Sequence, residues 1–197
     1  MRTEPLIPHP VSNGPFPASR EWAFSFLSQK GHVLNASVGL VKTEYAEFDV
    51  ELRLESGRLL GPLTIAFERY GKLNAARDNV ILVFHALTGS QHAAGECTAV
   101  PEVGELWTDE LHTGWWEGYI GPGRGIDTDR YAVLCVNYLG GCYGSTGPAS
   151  PAPGTGRPYG SAFPRLAFAD IVVLWKNFFH STQNTADLAN KFLSKIK

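Results

Sequence analysis

Two short glycine-containing stretches have the residue types that could hold a reacting group. HALTGS begins at His85, directly after the apolar run 80–84, and GGCYGSTGP begins at Gly140, directly after the apolar run 131–139. Ligands of open α/β sheets gather at the carboxyl ends of strands. Small residues there let main-chain N–H groups approach a ligand closely. Such N–H groups can stabilise the negative charge that develops on an ester or thioester carbonyl.

Glycine turns also have a simpler explanation. Gly89, Gly140 and Gly141 could serve only to permit tight turns, which is the commonest use of glycine. The spacing of these residues leaves both readings open.

The elements that would position these turns are strands of two kinds. The runs NVILVF (79–84) and YAVLCVNYL (131–139) are apolar apart from Asn79 and Asn137, as is typical of parallel strands covered on both faces. Upstream, residues 48–54 and 63–68 alternate apolar and polar side chains and are joined by a glycine turn, which predicts an antiparallel hairpin with one wet face. The sequence therefore predicts a mixed sheet, with an antiparallel edge and a parallel interior, in an α/β domain.

The connection between the two apolar runs is long and lacks periodicity. Its stretch 114–130, GWWEGYIGPGRGIDTDR, contains Trp115, Trp116 and Tyr119. Long loops in compact domains are usually functional or disordered. The three aromatic rings favour packing under this loop over both disorder and a ligand platform.

Composition excludes several classes of function. The net charge is −2 without a basic stripe, which gives no support to nucleic-acid binding. No stretch approaches the roughly 18 apolar residues of a membrane span, and the N-terminus does not resemble a secretion signal. Cys97, Cys135 and Cys142 form no disulfide framework, so a cytoplasmic location is expected. His85, His92 and Cys97 lack a zinc-binding spacing, and no metal site is expected.

The two ends of the chain differ from its middle. Residues 1–37 contain five prolines within the first 17 positions, which predicts a mobile extension. Residues 171–197 contain no glycine, proline or arginine, and their apolar residues recur at helical spacing. We therefore predict three parts: an extension over 1–37, an α/β domain over 38–170 and a divergent helical tail over 171–197.

Several blocks of the middle part together resemble the N-terminal part of homoserine O-acetyltransferases. They are 54–74 (LESGRLLGPLTIAFERYGKLN), 85–95 (HALTGSQHAAG) and 114–160, which includes GWW, IGPG, DTDRY and LGGCYGSTGPASP. The resemblance runs from about Val38 to Asp170. It implies an α/β-hydrolase fold and acetyl transfer from acetyl-CoA, as co-substrate, to the hydroxyl of L-homoserine in methionine biosynthesis. It also implies a homodimer.

The resemblance implies roles for particular residues. In this family the turn after the first apolar strand supplies one main-chain N–H of the oxyanion hole, which falls here on Leu87. The same general layout is known for α/β-hydrolases. Ala86, Thr88 and Gly89 would then line the substrate pocket beside it, and Asn137, Gly141 and Tyr143 would contribute from the second strand tip.

The nucleophile of the family is a serine on a G-x-S-x-G elbow, and the sequence does not contain that pattern. The nearest approach, 143–147 (YGSTG), matches another block of the family, so Ser145 is expected to be structural. The catalytic acid and histidine are likewise not identified. His85 is expected to bond main-chain groups, Cys135 to be core, and Cys142 to lack a neighbouring base. The chain is therefore expected to be an N-terminal fragment, truncated before the elbow and inactive alone.

The sequence leaves two alternatives open. A serine O-acyltransferase of the same family shares these blocks. A half-sheet that ends in an unpaired strand could instead act as a non-catalytic interaction module or complementing fragment.

Overall fold

The computed structural model describes residues 36–179, and its centre is a four-stranded mixed sheet. Its strands are β1 (Glu44–Phe48), β4 (Leu63–Tyr70), β8 (Ala132–Val136) and β5 (Val80–Val83), in that spatial order. β1 and β8 both run antiparallel to β4, whereas β5 runs parallel to β8. The predicted combination of an antiparallel edge with a parallel pair is confirmed.

Smaller elements surround this sheet. β2 (Leu52–Arg53) pairs with β3 (Leu59–Leu60), and β6 (Ile120–Gly121) pairs with β7 (Ile126–Asp127). Three short 3₁₀ turns lie at Gly104–Leu106, Asp109–Leu111 and Gly160–Ala162. One α-helix, α1 (Phe168–Phe179), ends the described part of the chain. The predicted extension over 1–37 and the later part of the predicted helical tail fall largely outside the described residues.

The predicted hairpin forms with a different first strand. Residues 48–54 do not make one strand: β1 ends at Phe48, and β2 is a separate two-residue strand. The partner of β4 is β1, in a register that sets Phe48 opposite Leu63 and Glu44 opposite Phe67. Residues 49–62 instead form a small excursion closed by the β2–β3 pair.

Apolar side chains pack on both faces of the sheet. Along β8, Leu134 and Val136 belong to one buried cluster, whereas Val133 and Cys135 belong to another on the opposite face. This alternation is the two-residue period of a strand. β5 is only half covered, with Val80 exposed, because it forms the margin of the sheet among the described residues.

Helix α1 closes the first of these clusters. Leu174 is buried in it. Asp170, in the first turn, accepts N–H groups from Ala167 at 2.7 Å and from Glu55 at 2.6 Å. One carboxylate thus satisfies an N–H at the helix start and ties the helix to the segment that follows β2.

The long connection is ordered as predicted, but its aromatic rings lie near the surface. Trp115 and Trp116 have ring centroids 5.1 Å apart, and Tyr119 stacks next to Trp116 at 5.9 Å. All three are more than a third exposed. The expectation that they pack beneath the loop is therefore wrong: they pack mainly on one another.

No helix among residues 36–179 is long and apolar enough to cross a bilayer.

The face of β4 predicted to be wet is in fact buried, and it carries a charge. Ala66 and Glu68 have no exposed surface. Glu68 Oε1 accepts the hydroxyl of Thr43 at 2.8 Å, while Oε2 accepts the hydroxyl of Tyr70 and the Nδ1–H of His92, both at 2.8 Å. A buried carboxylate is tolerated only with such partners. The alternation of apolar and polar residues over 63–68 gave no sign that this second face is buried.

His92 must be an imidazolium in this network. Its Nδ1 faces the Glu68 carboxylate, and its Nε2 lies 2.8 Å from the carbonyl oxygen of His112. Because both partners can only accept, both ring nitrogens carry protons. Burial alone would lower the pKa of His92, but the hydrogen bond and charge of Glu68, together with the His112 carbonyl, raise it above its ordinary value. The pair clamps the loop after β5 and the segment near His112 onto β4.

Glu68→Gln should lower the free energy of unfolding by about 3 kcal/mol, because it leaves the buried imidazolium without its counter-charge. A matched control is Glu44→Gln, which breaks the partly exposed ion pair with Arg69. That loss should stay below about 1 kcal/mol. Urea unfolding followed by tryptophan fluorescence measures both; equal losses would contradict the clamp.

The same pair predicts a pH dependence. The folded-state pKa of His92 is raised, so the pair stabilises the fold fully below the ordinary histidine pKa of about 6.5. That contribution is lost as pH rises through the higher folded-state pKa. Urea midpoints measured across this range should fall for the natural sequence, and this part of the fall should be absent in His92→Gln.

Candidate functional site

The tips of β5 and β8 lie side by side. Their parallel register sets Val83 opposite Cys135, so the segments that follow leave the sheet at the same edge. These segments are 85–89 and 137–141, the two stretches that the sequence predicts to meet.

The first segment forms a tight turn around one carbonyl oxygen. The oxygen of Ala86 accepts the N–H of Gly89 at 2.8 Å and lies 2.6 Å from Nδ1 of His85. Ala86, Leu87 and Thr88 are exposed on this turn. The main-chain N–H of Leu87 has no hydrogen-bond partner among residues 36–179. It is therefore a donor in a fixed turn that is available to a ligand.

His85 itself is buried and held from two sides. Its ring stacks on Tyr138 with centroids 4.1 Å apart, and the Tyr138 hydroxyl donates to the main-chain oxygen of His85 at 2.9 Å. Burial lowers the pKa of His85, and the contact with the Ala86 carbonyl only partly opposes that shift. The ring is therefore neutral near pH 7. Its bond to a main-chain group is the one that the sequence predicts.

The second segment places a buried amide next to this histidine. Asn137 has no exposed surface, and both polar atoms of its side chain are buried without a hydrogen-bond partner in the described part of the chain. Its main chain is fixed, since its N–H donates to Ala66 and its carbonyl accepts the Ser145 hydroxyl at 3.1 Å. Ser145 also accepts the Ala66 N–H, so its role is structural, as predicted.

An open hollow of about 270 Å³ lies beside these turns. Leu87 reaches it from the first turn and Gly140 from the second. The start of helix α1 and the segment before it form the other wall; the residues there include Phe163, Leu166 and Phe168. The hollow is thus bounded by both strand tips and by a helix N-terminus, which favours negative charge.

The predicted pocket residues do not all lie at this hollow. Leu87 lines it, Ala86, Thr88 and Gly89 share its turn, and Asn137 and Gly141 lie behind the second turn. Tyr143 instead packs edge-on against Trp107, with ring centroids 5.7 Å apart. Sequence reasoning missed Tyr138, which lies within an apolar run and gives no signal of its contact with His85.

The remaining candidates have ordinary environments. Cys135 is buried, and burial raises the pKa of its thiol further, so it stays protonated core. Cys142 is exposed. Within residues 36–179, no cluster of three or more histidine, cysteine or acidic side chains is arranged to hold a metal ion.

Gly141→Ala should be destabilising because the second turn has no room for a side chain. A Cβ at this position would lie 2.9 Å from Asn137 Oδ1 and 3.0 Å from the Tyr138 carbonyl oxygen. Such overpacking typically costs about 1–3 kcal/mol. Gly118→Ala is the matched control, because nothing lies within 4 Å of its Cβ. Urea unfolding that left Gly141→Ala as stable as the control would contradict this packing.

Curated relatives match most of the described residues, although no protein-family model matches the chain. The homoserine O-acetyltransferase of Deferribacter desulfuricans is 52% identical over 140 residues, which are 71% of this chain and 35% of that protein. The homoserine O-acetyltransferase of Moorella thermoacetica is 52% identical over 135 residues, which are 68% of this chain and 34% of that protein.

Two solved structures also match most of this chain. Homoserine O-acetyltransferase from Bacillus anthracis has a TM-score of 0.58 at 36% identity, covering 71% of this chain and 36% of that one. Esterase E22 also has a TM-score of 0.58, at 35% identity, covering 72% of this chain and 37% of that one. The aligned part of this chain is thus homologous to part of the homoserine O-acetyltransferases, a family of the α/β-hydrolase fold, and it spans about a third of the length of those relatives.

Proposed function

We propose that residues 38–170 form the oxyanion-binding side of an acetyltransferase active site. The site would move an acetyl group from acetyl-CoA to the hydroxyl of L-homoserine, the activity named for relatives that are 52% identical. The observation that carries the proposal is the Leu87 turn, which reaches an open hollow and carries a main-chain N–H without a partner among the described residues.

The chemistry assigned to this chain is the stabilisation of developing charge. When a nucleophile attacks the thioester carbonyl of acetyl-CoA, the carbonyl oxygen becomes an oxyanion, and an N–H already fixed in position stabilises it without further reorganisation. The Leu87 N–H would serve in this way, both when the acetyl group leaves CoA and when it passes to homoserine. Acetyl-CoA is a co-substrate here, not a resident cofactor.

The turn is suited to this task because its own hydrogen bonds do not use that N–H. The Ala86 oxygen takes the Gly89 N–H and the His85 ring. The turn is therefore closed through other groups, and the N–H at position 87 remains for a ligand. No residue of this chain is proposed as the serine nucleophile, because no G-x-S-x-G stretch occurs in these 197 residues.

Ester hydrolysis is a second candidate, favoured by the equal TM-score of 0.58 to esterase E22. Both reactions pass through a tetrahedral oxyanion. They differ in the acyl donor, which is an ester in one and the thioester of acetyl-CoA in the other, and in the acceptor, which is water in one and homoserine in the other. A serine acceptor, from the related acyltransferases, is a third possibility within the same chemistry. The homodimer implied by the resemblance also remains a proposal.

A spliced enzyme tests the proposal. Residues 38–170 replace the aligned segment in the Deferribacter desulfuricans relative, and thiol release from acetyl-CoA is followed with L-homoserine, with L-serine and with no amino acid. The spliced enzyme should form O-acetylhomoserine, and Leu87→Pro should lower its kcat by about 10²–10³-fold, the usual cost of one oxyanion donor. Proline removes the N–H but suits this position, the second residue of a turn.

Leu87→Ala is the matched control, because it shortens the side chain and keeps the N–H. It should retain most of the activity, and the isolated 197-residue polypeptide should release no thiol above the blank. Chromatography of the products separates O-acetylhomoserine, O-acetylserine and free acetate, and so separates the three acceptors. Equal rates for the proline and alanine variants would remove position 87 from the reaction.

A further inference from the structure

Buried polar atoms without partners lie behind the turn that carries Leu87. They are Nε2 of His85 and both polar atoms of the Asn137 side chain. His85 is 5% exposed and Asn137 not at all, so both side chains are shielded from bulk solvent. Leaving a buried donor or acceptor unpaired destabilises a fold. Native proteins rarely carry such groups without a reason.

The protonation of His85 follows from its other nitrogen. Nδ1 lies 2.6 Å from the carbonyl oxygen of Ala86, which can only accept, so Nδ1 carries the proton. The ring is buried and neutral, and its Nε2 is therefore an acceptor with a free lone pair. If the proton moved to Nε2, the bond to the Ala86 oxygen would be lost, and with it one of the two contacts that close the turn.

Asn137 is placed to prevent that loss. The next residue, Tyr138, stacks on the His85 ring with centroids 4.1 Å apart, so the Asn137 amide lies at the same strand tip as this ring. The main chain of Asn137 is fixed by Ala66 and Ser145. Rotation of the Asn137 amide breaks no hydrogen bond, because neither of its polar atoms has a partner among the described residues. Gly141 leaves space for that amide, since a Cβ there would lie 2.9 Å from Oδ1. An amide N–H can thus face Nε2, and a donor is what a lone pair requires.

We propose that Asn137 is a positioning residue: its amide donates to Nε2 of His85 and so keeps the ring in the Nδ1–H form that holds the Ala86 carbonyl and the turn bearing Leu87. Its importance for acyl transfer rests on the function proposed above. The hydrogen bond itself does not.

The test measures the proton position in the 197-residue chain directly. Long-range ¹H–¹⁵N correlation spectra distinguish a protonated from an unprotonated ring nitrogen, and the His85 signals are assigned by their loss in His85→Gln. The natural sequence should show a protonated Nδ1 and an unprotonated Nε2 near pH 7. A protonated Nε2 in the natural sequence would overturn the proposal without any variant.

Two variants at position 137 have different expected effects. Asn137→Leu has a similar volume and no donor, so the preference for the Nδ1–H form should fall about tenfold, which corresponds to one hydrogen bond. Asn137→Asp places a carboxylate at Nε2, so both nitrogens should become protonated near pH 7 and the titration of His85 should move up by about a unit or more. If Asn137→Leu does not fold, the aspartate variant still tests the contact.

Ser145→Ala is the control for general loosening. It removes the hydroxyl that bonds the Asn137 carbonyl but leaves the amide side chain in place. It should keep the natural proton distribution on His85. An unchanged His85 spectrum in Asn137→Leu, or an equal change in Ser145→Ala, would refute the positioning role. An inactive spliced enzyme with the expected His85 spectrum would refute only the proposed function.

Discussion

The candidate site depends on the parallel pairing of β5 with β8. The register that sets Val83 opposite Cys135 brings two turns, which are 52 residues apart in sequence, to one edge of the sheet. A slip by one residue would turn every side chain of the strand to the other face. The register is secured because β8 is buried on both faces, with alternate residues in two different clusters.

Both oxygens of the buried Glu68 carboxylate have hydrogen-bond partners, whereas three buried side-chain atoms at the site, like Gln91 Oε1 beside the Glu68 network, have none among residues 36–179. Glu68 has hydrogen bonds from Thr43, Tyr70 and His92, and His92 has a partner on each nitrogen. A few residues away, His85 and Asn137 keep unpaired buried atoms. Since unpaired groups destabilise a fold, their concentration at the strand tips is what a functional site would show. The Glu68 network fixes the loop after β5 against β4, and this loop adjoins the site.

The features that sequence predicted correctly were those set by local pattern. Continuous apolar runs identified β5 and β8 and their parallel pairing, because a strand that is buried on both faces, as β8 is, has few polar positions. The local pattern was insufficient where residues distant in sequence determine the environment of a side chain. Glu68 alternates with apolar neighbours and was expected to face solvent, yet Thr43 and His92, from other segments, surround it. Tyr143 is near the second tip in sequence, but it packs on Trp107, a contact that no local spacing encodes.

The proposed oxyanion site also explains why its donor lies next to the margin of the described sheet. In the α/β-hydrolase layout one donor follows a strand like β5, and the other belongs to the residue after the nucleophile. Within residues 36–179, β5 pairs with β8 along one edge and has no partner strand on its second edge. A strand that added to this edge would end beside the Leu87 turn, because parallel neighbours end at the same edge of a sheet. A nucleophile carried at the end of such a strand would approach the proposed oxyanion from that side.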